Sequence, residues 1–429
     1  MLNRLKVVGF KSLQDIDVAL PKLVVLFGPN GSGKSNILDA IQALSRVGTG
    51  RTLTEALADP IRGYAIEAFG FPVGGLPALL SQKSADFALE ADLDVPRLRN
   101  GRDHAELMRA DREQSDRYRY RITVRITPAS GALSVGDEYL AALNKKGEPK
   151  GSPSIEFVEG RLRIRRKSRP AHPSYEDLGL NHSILSNPRL GGIEYRGIER
   201  CRSELADWRT YYLDPRVSMR SARPPSDVRD IGVLGEDIAP FLYRLQAEKP
   251  KAFEAVKRTL KSLVPSVDDL AVDLDKKRGT LDIHVRQAGI EFSSRIISEG
   301  TLRVLALCAL AVNPWSGSLL AFEEPENGVH PRRLELIVQL LVSISLQRGR
   351  QVVVTTHSPL LCGSVLREAR QHPDQIALLN VRRDVERTVV EPFDSNAPLF
   401  EEGALSEALS ARSEDGVFEG LMLRGLIGE

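Results

Sequence analysis

Cysteine is scarce. The 429 residues hold three, Cys201, Cys308 and Cys362, far apart in the chain. They form no C-x-x-C pair, so neither a zinc site nor a disulfide framework is indicated. A reducing cytoplasm is the expected setting. Long apolar runs are missing as well. The longest, near Leu302 to Val312, carries Arg303 and falls short of the roughly 18 residues that cross a bilayer, so no membrane partner is expected. Met1 opens a strand-like pattern rather than a basic n-region followed by an apolar h-region, so no signal peptide is expected. Charge of one sign is also lacking. The formal net charge is +2 although 27% of residues are charged, so any nucleic-acid contact must come from a local patch. Internal repeats, low-complexity segments and sustained heptads are absent, which excludes long coiled-coil arms. What remains is an apolar fraction of 42%, enough for real cores, and a length that suits two or three domains.

One stretch organises the rest. Gly28-Pro29-Asn30-Gly31-Ser32-Gly33-Lys34-Ser35 fits the phosphate-loop pattern G-x-x-x-x-G-K-S/T. Before it, Leu23-Val24-Val25-Leu26-Phe27 reads as a buried parallel strand. After it, Asn36 to Ser45 places Ile37, Leu38, Ala40, Ile41 and Leu44 at helical spacing. Strand, glycine-rich loop and helix are the setting in which the motif binds phosphate. Glycines let backbone N–H groups turn inward, and the helix N-terminus adds partial positive charge. Lys34 is placed to reach the β- and γ-phosphates, and the Ser35 hydroxyl to sit on Mg²⁺.

Upstream, residues 1–27 read as strands, with Gly9-Phe10-Lys11-Ser12 as a turn and Ile16, Val18 and Leu20 alternating with Asp15, Asp17 and Ala19. They predict an antiparallel flap beside a parallel core. Residues 46–75 read as loop with a short helix, and Phe87 to Leu93 as a strand. Arginine is dense from 97 to 127: Arg97, Arg99, Arg102, Arg109, Arg112, Arg117, Arg119, Arg121 and Arg125. In Arg117 to Ile126 a period of two puts Tyr118, Tyr120, Ile122, Val124 and Ile126 on one face and the arginines on the other. A hairpin follows, Ile155 to Val158 and Arg161 to Arg165, again with alternating arginines. This basic face is either simply solvated or touches a phosphate backbone. Further on, Lys249 to Leu263 predicts an amphipathic helix and Leu281 to Val285 a strand. Gln375 to Val381 and Arg387 to Val390 predict two closing strands, and Gly416 to Leu426 a short helix.

Nucleotide chemistry returns between 296 and 360. Leu319 to Phe322 is an apolar strand ending in two carboxylates, Glu323 and Glu324. Strand C-terminal ends open at the crevice where α/β sheets bind ligands. One carboxylate can serve Mg²⁺, while the other positions or deprotonates an attacking water. Gln351 to Thr356 is a second buried strand, followed by His357, which at such an end can hydrogen-bond a γ-phosphate and the lytic water. Ser298-Glu299-Gly300 precedes a helix. Ser298 suits an N-cap and Gly300 a close backbone approach to a ligand. The start of that helix is either a second anion site or an ordinary capped core helix.

In this order the motifs resemble the ABC-type ATPases of the RecF/SMC group. The likeness is particularly to the stand-alone prokaryotic AAA-family ATPases related to the overcoming-lysogenization-defect (OLD) proteins. The resemblance covers residues 1–45 and about 290–360, and loosely the closing strands. It implies an α/β fold: a P-loop ABC-type head with an antiparallel β flap and an inserted mixed helical and β-hairpin region. The implied parts are 1–95 with the flap and phosphate loop, 96–289 as the inserted basic region, and 290–429 as the second half of the head.

The resemblance implies ATP and Mg²⁺ as ligands. Nucleotide contacts would come from Lys11, from Gly28 to Asn36, and from Ser298, Glu299 and Gly300 of the opposite protomer. Ser35, Glu323 and Gln82 would serve the metal, Glu324 would be the catalytic glutamate and His357 the switch histidine. Pro325 to Pro331 resembles the loop that follows the acidic pair in this family. Several residues depart from the family pattern. The signature reads Ser-Glu-Gly, Glu323 stands where Asp is usual, and the chain after His357 carries no Asp-x-Asp set of a fused nuclease. The expected assembly is a homodimer closed across ATP, or a higher oligomer. Its task is read as DNA-linked, in anti-phage defence or genome maintenance, controlling a separately encoded nuclease or toxin. The alternative is a nucleotide-switched assembly module that does not bind DNA. A P-loop kinase would need an acceptor pocket, for which the sequence holds no candidate.

Overall fold

The computed structural model describes residues 1–58, 61–96, 115–167, 172–384 and 387–393. The arginines at 97–112 and the helix expected near 416–426 lie outside the described residues. In chain order the strands are β1 (Leu2–Phe10), β2 (Leu13–Ala19), β3 (Leu23–Phe27), β4 (Ala85–Pro96), β5 (Ser115–Thr127), β6 (Ala132–Leu143), β7 (Ile155–Val158), β8 (Arg161–Ile164) and β9 (Ser174–Asp177). They continue with β10 (Trp208–Tyr211), β11 (Val267–Asp275), β12 (Thr280–Gln287), β13 (Ile290–Ser293), β14 (Leu319–Glu323), β15 (Gln351–Thr356), β16 (Ile376–Asp384) and β17 (Arg387–Pro392). The longer helices are α1 (Lys34–Thr49), α2 (Arg196–Ala206), α3 (Ile238–Glu248), α4 (Pro250–Leu263), α5 (Glu299–Val312), α6 (Leu334–Val342) and α7 (Pro359–Gln371). The chain packs into two units. One holds Met1–Pro21, Pro29–Trp208 and Val381–Glu391; the other holds Lys22–Gly28, Arg209–Asn380 and, of the described residues after them, Pro392 and Phe393.

The first unit is built on an antiparallel sheet in the order β2-β1-β4-β5-β6-β7-β8-β9. Alternation makes it one-sided. Tyr118, Tyr120, Ile122, Val124 and Ile126 of β5 are buried, as the period of two predicts. Their arginine neighbours lie across from acids. Arg117, Arg119, Arg121 and Arg125 pair in register with Asp94, Asp92, Glu90 and Asp86 of β4. Arg119 and Arg125 make two-pronged bonds to Asp92 and Asp86 at 2.7–2.8 Å. Arg117 reaches Asp94 at 3.1 Å, and Arg121 reaches Asp137 of β6 at 2.8 Å. On the later hairpin Arg163 and Arg165 share Glu156, and Arg161 meets Asp177. The basic stripe of the sequence is thus a ladder of cross-strand ion pairs. A phosphate backbone meeting it would have to displace carboxylates already in place.

Glu138 of β6 is buried and accepts from Tyr120 Oη, Ile184 N and Leu185 N at 2.6–3.0 Å. Burial outweighs these donors and pushes its carboxyl up to about 7.

The second unit carries the sheet β10-β14-β15-β3-β16-β17 and a smaller antiparallel sheet β11-β12-β13. β14, β15, β3 and β16 run parallel. Their apolar runs are buried on both faces, which is why they read as continuous rather than alternating. β16 and β17 form a hairpin whose residues Val381–Glu391 count with the first unit. Pro250 opens α4 where no N–H is needed, and its stripe Phe253, Val256, Leu260 and Leu263 is buried. Twelve of the fourteen residues of α5 are buried, the mark of a core helix that is apolar all round.

Candidate nucleotide site

In the first unit the phosphate loop winds with Gly31 at φ +82° and Gly33 at φ +106°, conformations that cost little only for glycine. Gly33 N-caps α1 without any side-chain cap bond. A helix start of this kind suits an anion. Lys34 is 5% exposed, and its Nζ donates to Pro29 O at 2.8 Å, across the loop it follows. Gly33 answers to a second constraint. A Cβ there would lie 2.1 Å from Thr388 Oγ1 and 2.9 Å from Ser12 Oγ.

Thr388, on the closing hairpin, donates from Oγ1 to Ser32 O at 2.9 Å and from its backbone N to Ser12 O at 3.0 Å. Asn36 Nδ2 donates to Ser12 Oγ at 2.8 Å. The loop is therefore braced by the turn after β1 and by a residue more than 350 positions away. No pattern in the sequence marks Thr388. Asp39 left a trace: it is a carboxylate inside the apolar stripe of α1, and it is fully buried. Lys11 Nζ donates to Asp39 Oδ2 at 2.6 Å and to Arg62 O at 2.9 Å, and Arg62 also reaches Asp39 at 3.0 Å. Lys11 adopts φ +51°, and its bond to the buried Asp39 carboxylate ties the flap turn to α1. Gln82 is exposed in the turn between the helical segment Gly75–Leu80 and β4.

In the second unit three parallel strands end at one edge. Glu323 is level with Thr355, and Thr356 with Phe27, after which Gly28 leaves the sheet. Glu324 turns out of β14 at φ +44°, a rare conformation for a residue with a Cβ. It is held there by its own N–H on Thr355 O at 3.0 Å. Its carboxylate is gripped from two sides. His357 Nδ1 lies 2.8 Å from Oε1, and Asn327 Nδ2 donates to Oε2 at 2.7 Å. The two sequence-predicted catalytic residues thus touch. Asn327 is an addition the pattern did not single out. Glu326 points inward, and burial pushes its carboxyl up to about 7.

The start of α5 lies in the same unit. Ser298 caps it, its Oγ accepting from Thr301 N at 3.2 Å. Gly300 answers to a protein contact as well, since a Cβ on it would fall 2.0 Å from Gly328 O in the loop after the acidic pair. Glu299 pairs with exposed Arg216 at 2.9 Å. The run-in to the helix is fastened by Arg220, whose guanidinium donates to the carbonyls of Pro215, Ser294, Arg295 and Ile297 at 2.5–2.8 Å. Each unit offers donors of the kind a magnesium–triphosphate substrate takes: in the first a hydroxyl at Ser35 and a cation at Lys34, in the second a carboxylate at Glu323.

A family model described as "AAA domain, putative AbiEii toxin, Type IV TA system" matches residues 23–104 and 109–363. An OLD nuclease of Thermus scotoductus is 54% identical over 41 residues, a match covering 10% of this chain and 8% of that protein. Two crystal structures are similar in fold. One is an Smc head bound to the C-winged helix domain of ScpA, with TM-score 0.47, 16% identity, and 92% and 98% of the two chains covered. The other is an Smc head domain with an extended coiled coil bound to the C-terminal domain of ScpA, derived from Pyrococcus furiosus. Its TM-score is 0.46, its identity 14%, and 94% and 99% of the chains are covered. No helix of the described residues is long and apolar enough to cross a membrane.

Proposed function

The chain belongs to this AAA-domain family, and from that premise we propose that it binds and hydrolyses ATP, closes in pairs around two nucleotides, and passes closure to a partner. The observation that carries this reading is the Glu324 carboxylate, fixed between His357 and Asn327 at the edge where Phe27-Gly28 leaves the sheet. A carboxylate held this way can orient a water and take its proton. Backbone N–H groups of the loop and Lys34 hold the phosphates and offset their charge. Ser35 and Glu323 are the residues that would hold a Mg²⁺ ion brought by the nucleotide, and the ion would supply charge stabilisation of the phosphoryl oxygens. The γ-phosphate adds contacts to Ser298 of a second copy that exist only in the closed pair, so ATP shifts the population toward closure and hydrolysis releases it.

For the output we favour a separately encoded protein effector, a nuclease or a toxin. The OLD relative is named a nuclease and the family description names a toxin, while the arginines of β5 and β8 are already matched by carboxylates. The DNA-linked reading is motivated by the arginine-rich hairpins, whose described arginines are paired in this way, and by the arginines at 97–112, which lie outside the described residues. ATPase assays and light scattering test the core of the proposal. Glu324→Gln should lower turnover by about 10²–10⁴-fold and accumulate an ATP-bound dimer. Lys34→Ala should lose nucleotide binding and stay monomeric. Wild-type turnover in Glu324→Gln would remove Glu324 from its role.

A further inference from the structure

Two positions beyond Glu324 lies a carboxyl that the function above leaves without a part. Glu326 is 5% exposed. Its Oε1 accepts from Thr356 Oγ1, and its Oε2 is buried with no hydrogen-bond partner among the described residues. A half-satisfied buried carboxyl is expensive, and an apolar side chain of similar volume would commonly be as stable or more so. Stability therefore does not account for a glutamate here.

Its partner Thr356 suggests what does. Thr356 Oγ1 also accepts from Ser358 N at 2.9 Å, so the hydroxyl bonded to Glu326 clamps the backbone on both sides of His357. Ser358 Oγ in turn accepts from Leu361 N at 3.3 Å and caps α7. His357 is the residue whose ring meets Glu324 Oε1. On the other side, Asn327 N donates to Glu324 O at 3.1 Å and Val329 N to Glu326 O at 2.9 Å, so residues 324–329 form one hydrogen-bonded turn. The turn carries Asn327, which holds Glu324 Oε2. Beside the Glu324 N–Thr355 bonds, the Glu326–Thr356 bond is a side-chain strut between the two supports of the Glu324 carboxylate: the turn that bears Asn327, and the strand end that bears His357.

We propose that Glu326 is a positioning residue for hydrolysis, holding His357 against Glu324 through Thr356. The inference rests on the reading of Glu324 as the group that handles the attacking water. It assigns Glu326 no contact with substrate. Loss of the strut lets His357 and the turn drift apart, which lowers kcat and leaves nucleotide binding at the phosphate loop intact.

Three variants test it. Glu326→Leu fills the space without an acceptor, Glu326→Gln keeps an oxygen for Thr356, and Thr356→Val removes the hydroxyl while keeping the β-branch. We expect Glu326→Leu and Thr356→Val each to lower kcat for Mg·ATP about 10–100-fold with KM within about threefold. Their double variant should be no worse than either alone, and Glu326→Gln should stay near wild type. A second readout needs no turnover: the side-chain nitrogen signals of ¹⁵N-histidine-labelled protein, with His357 assigned by its loss in His357→Asn. The His357 signal should move in Glu326→Leu and Thr356→Val and stay in place in Glu326→Gln. A wild-type protein without ATPase activity would sink the proposed function and still leave the strut to be judged by that signal. If Glu326→Leu fails to fold, Thr356→Val answers the same question. An unmoved His357 signal with wild-type kcat overturns the proposal. So does Glu326→Gln failing as badly as Glu326→Leu.

Discussion

Glu324 occupies a backbone conformation, φ +44°, that costs a residue with a Cβ on the order of 1–3 kcal/mol. The cost is offset locally by the Thr355, His357 and Asn327 bonds, and the result is a carboxylate with no slack in its direction. Asn327→Ala should leave one oxygen unsupported and lower kcat more than it raises KM, by about tenfold, in the same steady-state assay. Gly33 is constrained twice, by φ +106° and by Thr388 Oγ1 at 2.1 Å from any added Cβ. Gly33→Ala should therefore cost more than about 1 kcal/mol and abolish nucleotide binding, read by calorimetric titration and thermal melting. Thr388→Ala removes the tighter clash but neither the approach of Ser12 Oγ at 2.9 Å nor the torsional strain, so in the double variant stability should recover only in part.

At the scale of the element, the β4–β5 pairing explains where the arginines go. Asp92 is 8% exposed and takes both prongs of Arg119. Arg119→Ala strands that carboxylate and should cost about 1–3 kcal/mol in a urea melt. Arg125 and Asp86 are well exposed, and Arg125→Ala there should cost under about 1 kcal/mol. Glu138 gives β6 a pH signature. Its folded value, about 7, lies above the ordinary 4.5, so the native state binds its proton more tightly than the unfolded chain does. The associated stability is full below the ordinary value and is lost as pH rises through 7, on the order of 3 kcal/mol across that window. Glu138→Gln should flatten the fall in urea midpoint between about pH 5 and pH 8.

At the scale of the whole molecule, charge balance and fold separate two questions the sequence leaves joined. A net charge of +2 gives no general attraction to nucleic acid. The described sheet pairs its arginines internally. Charge reversal at Arg117, Arg119 and Arg121 is therefore expected to lower stability and to leave any salt-dependent DNA affinity nearly unchanged. Reversal at Arg97, Arg99 and Arg102 is the variant that should lower it, by fluorescence anisotropy across a salt series. Equal losses from both sets would return the sheet to the DNA reading.

The sequence by itself determined what depends on neighbours along the chain. The phosphate loop, the strand before it and the helix after it declare themselves by local torsional need and periodicity. The same holds for the apolar strands ending at Glu323 and Thr356, for the α4 stripe, and for the alternation of β5. Only the tertiary structure decided what depends on distant partners. Thr388 lies over Gly33 because a closing hairpin meets a loop near the start of the chain. Lys11 bonds Asp39, and Gly300 has Gly328 O within 2.0 Å of where a Cβ would stand. The arginines of β5 are a ladder rather than a patch because β4 supplies an acid opposite each one. Periodicity reports which face a side chain takes, but pairing is a property of register, and register is fixed only when the strands meet.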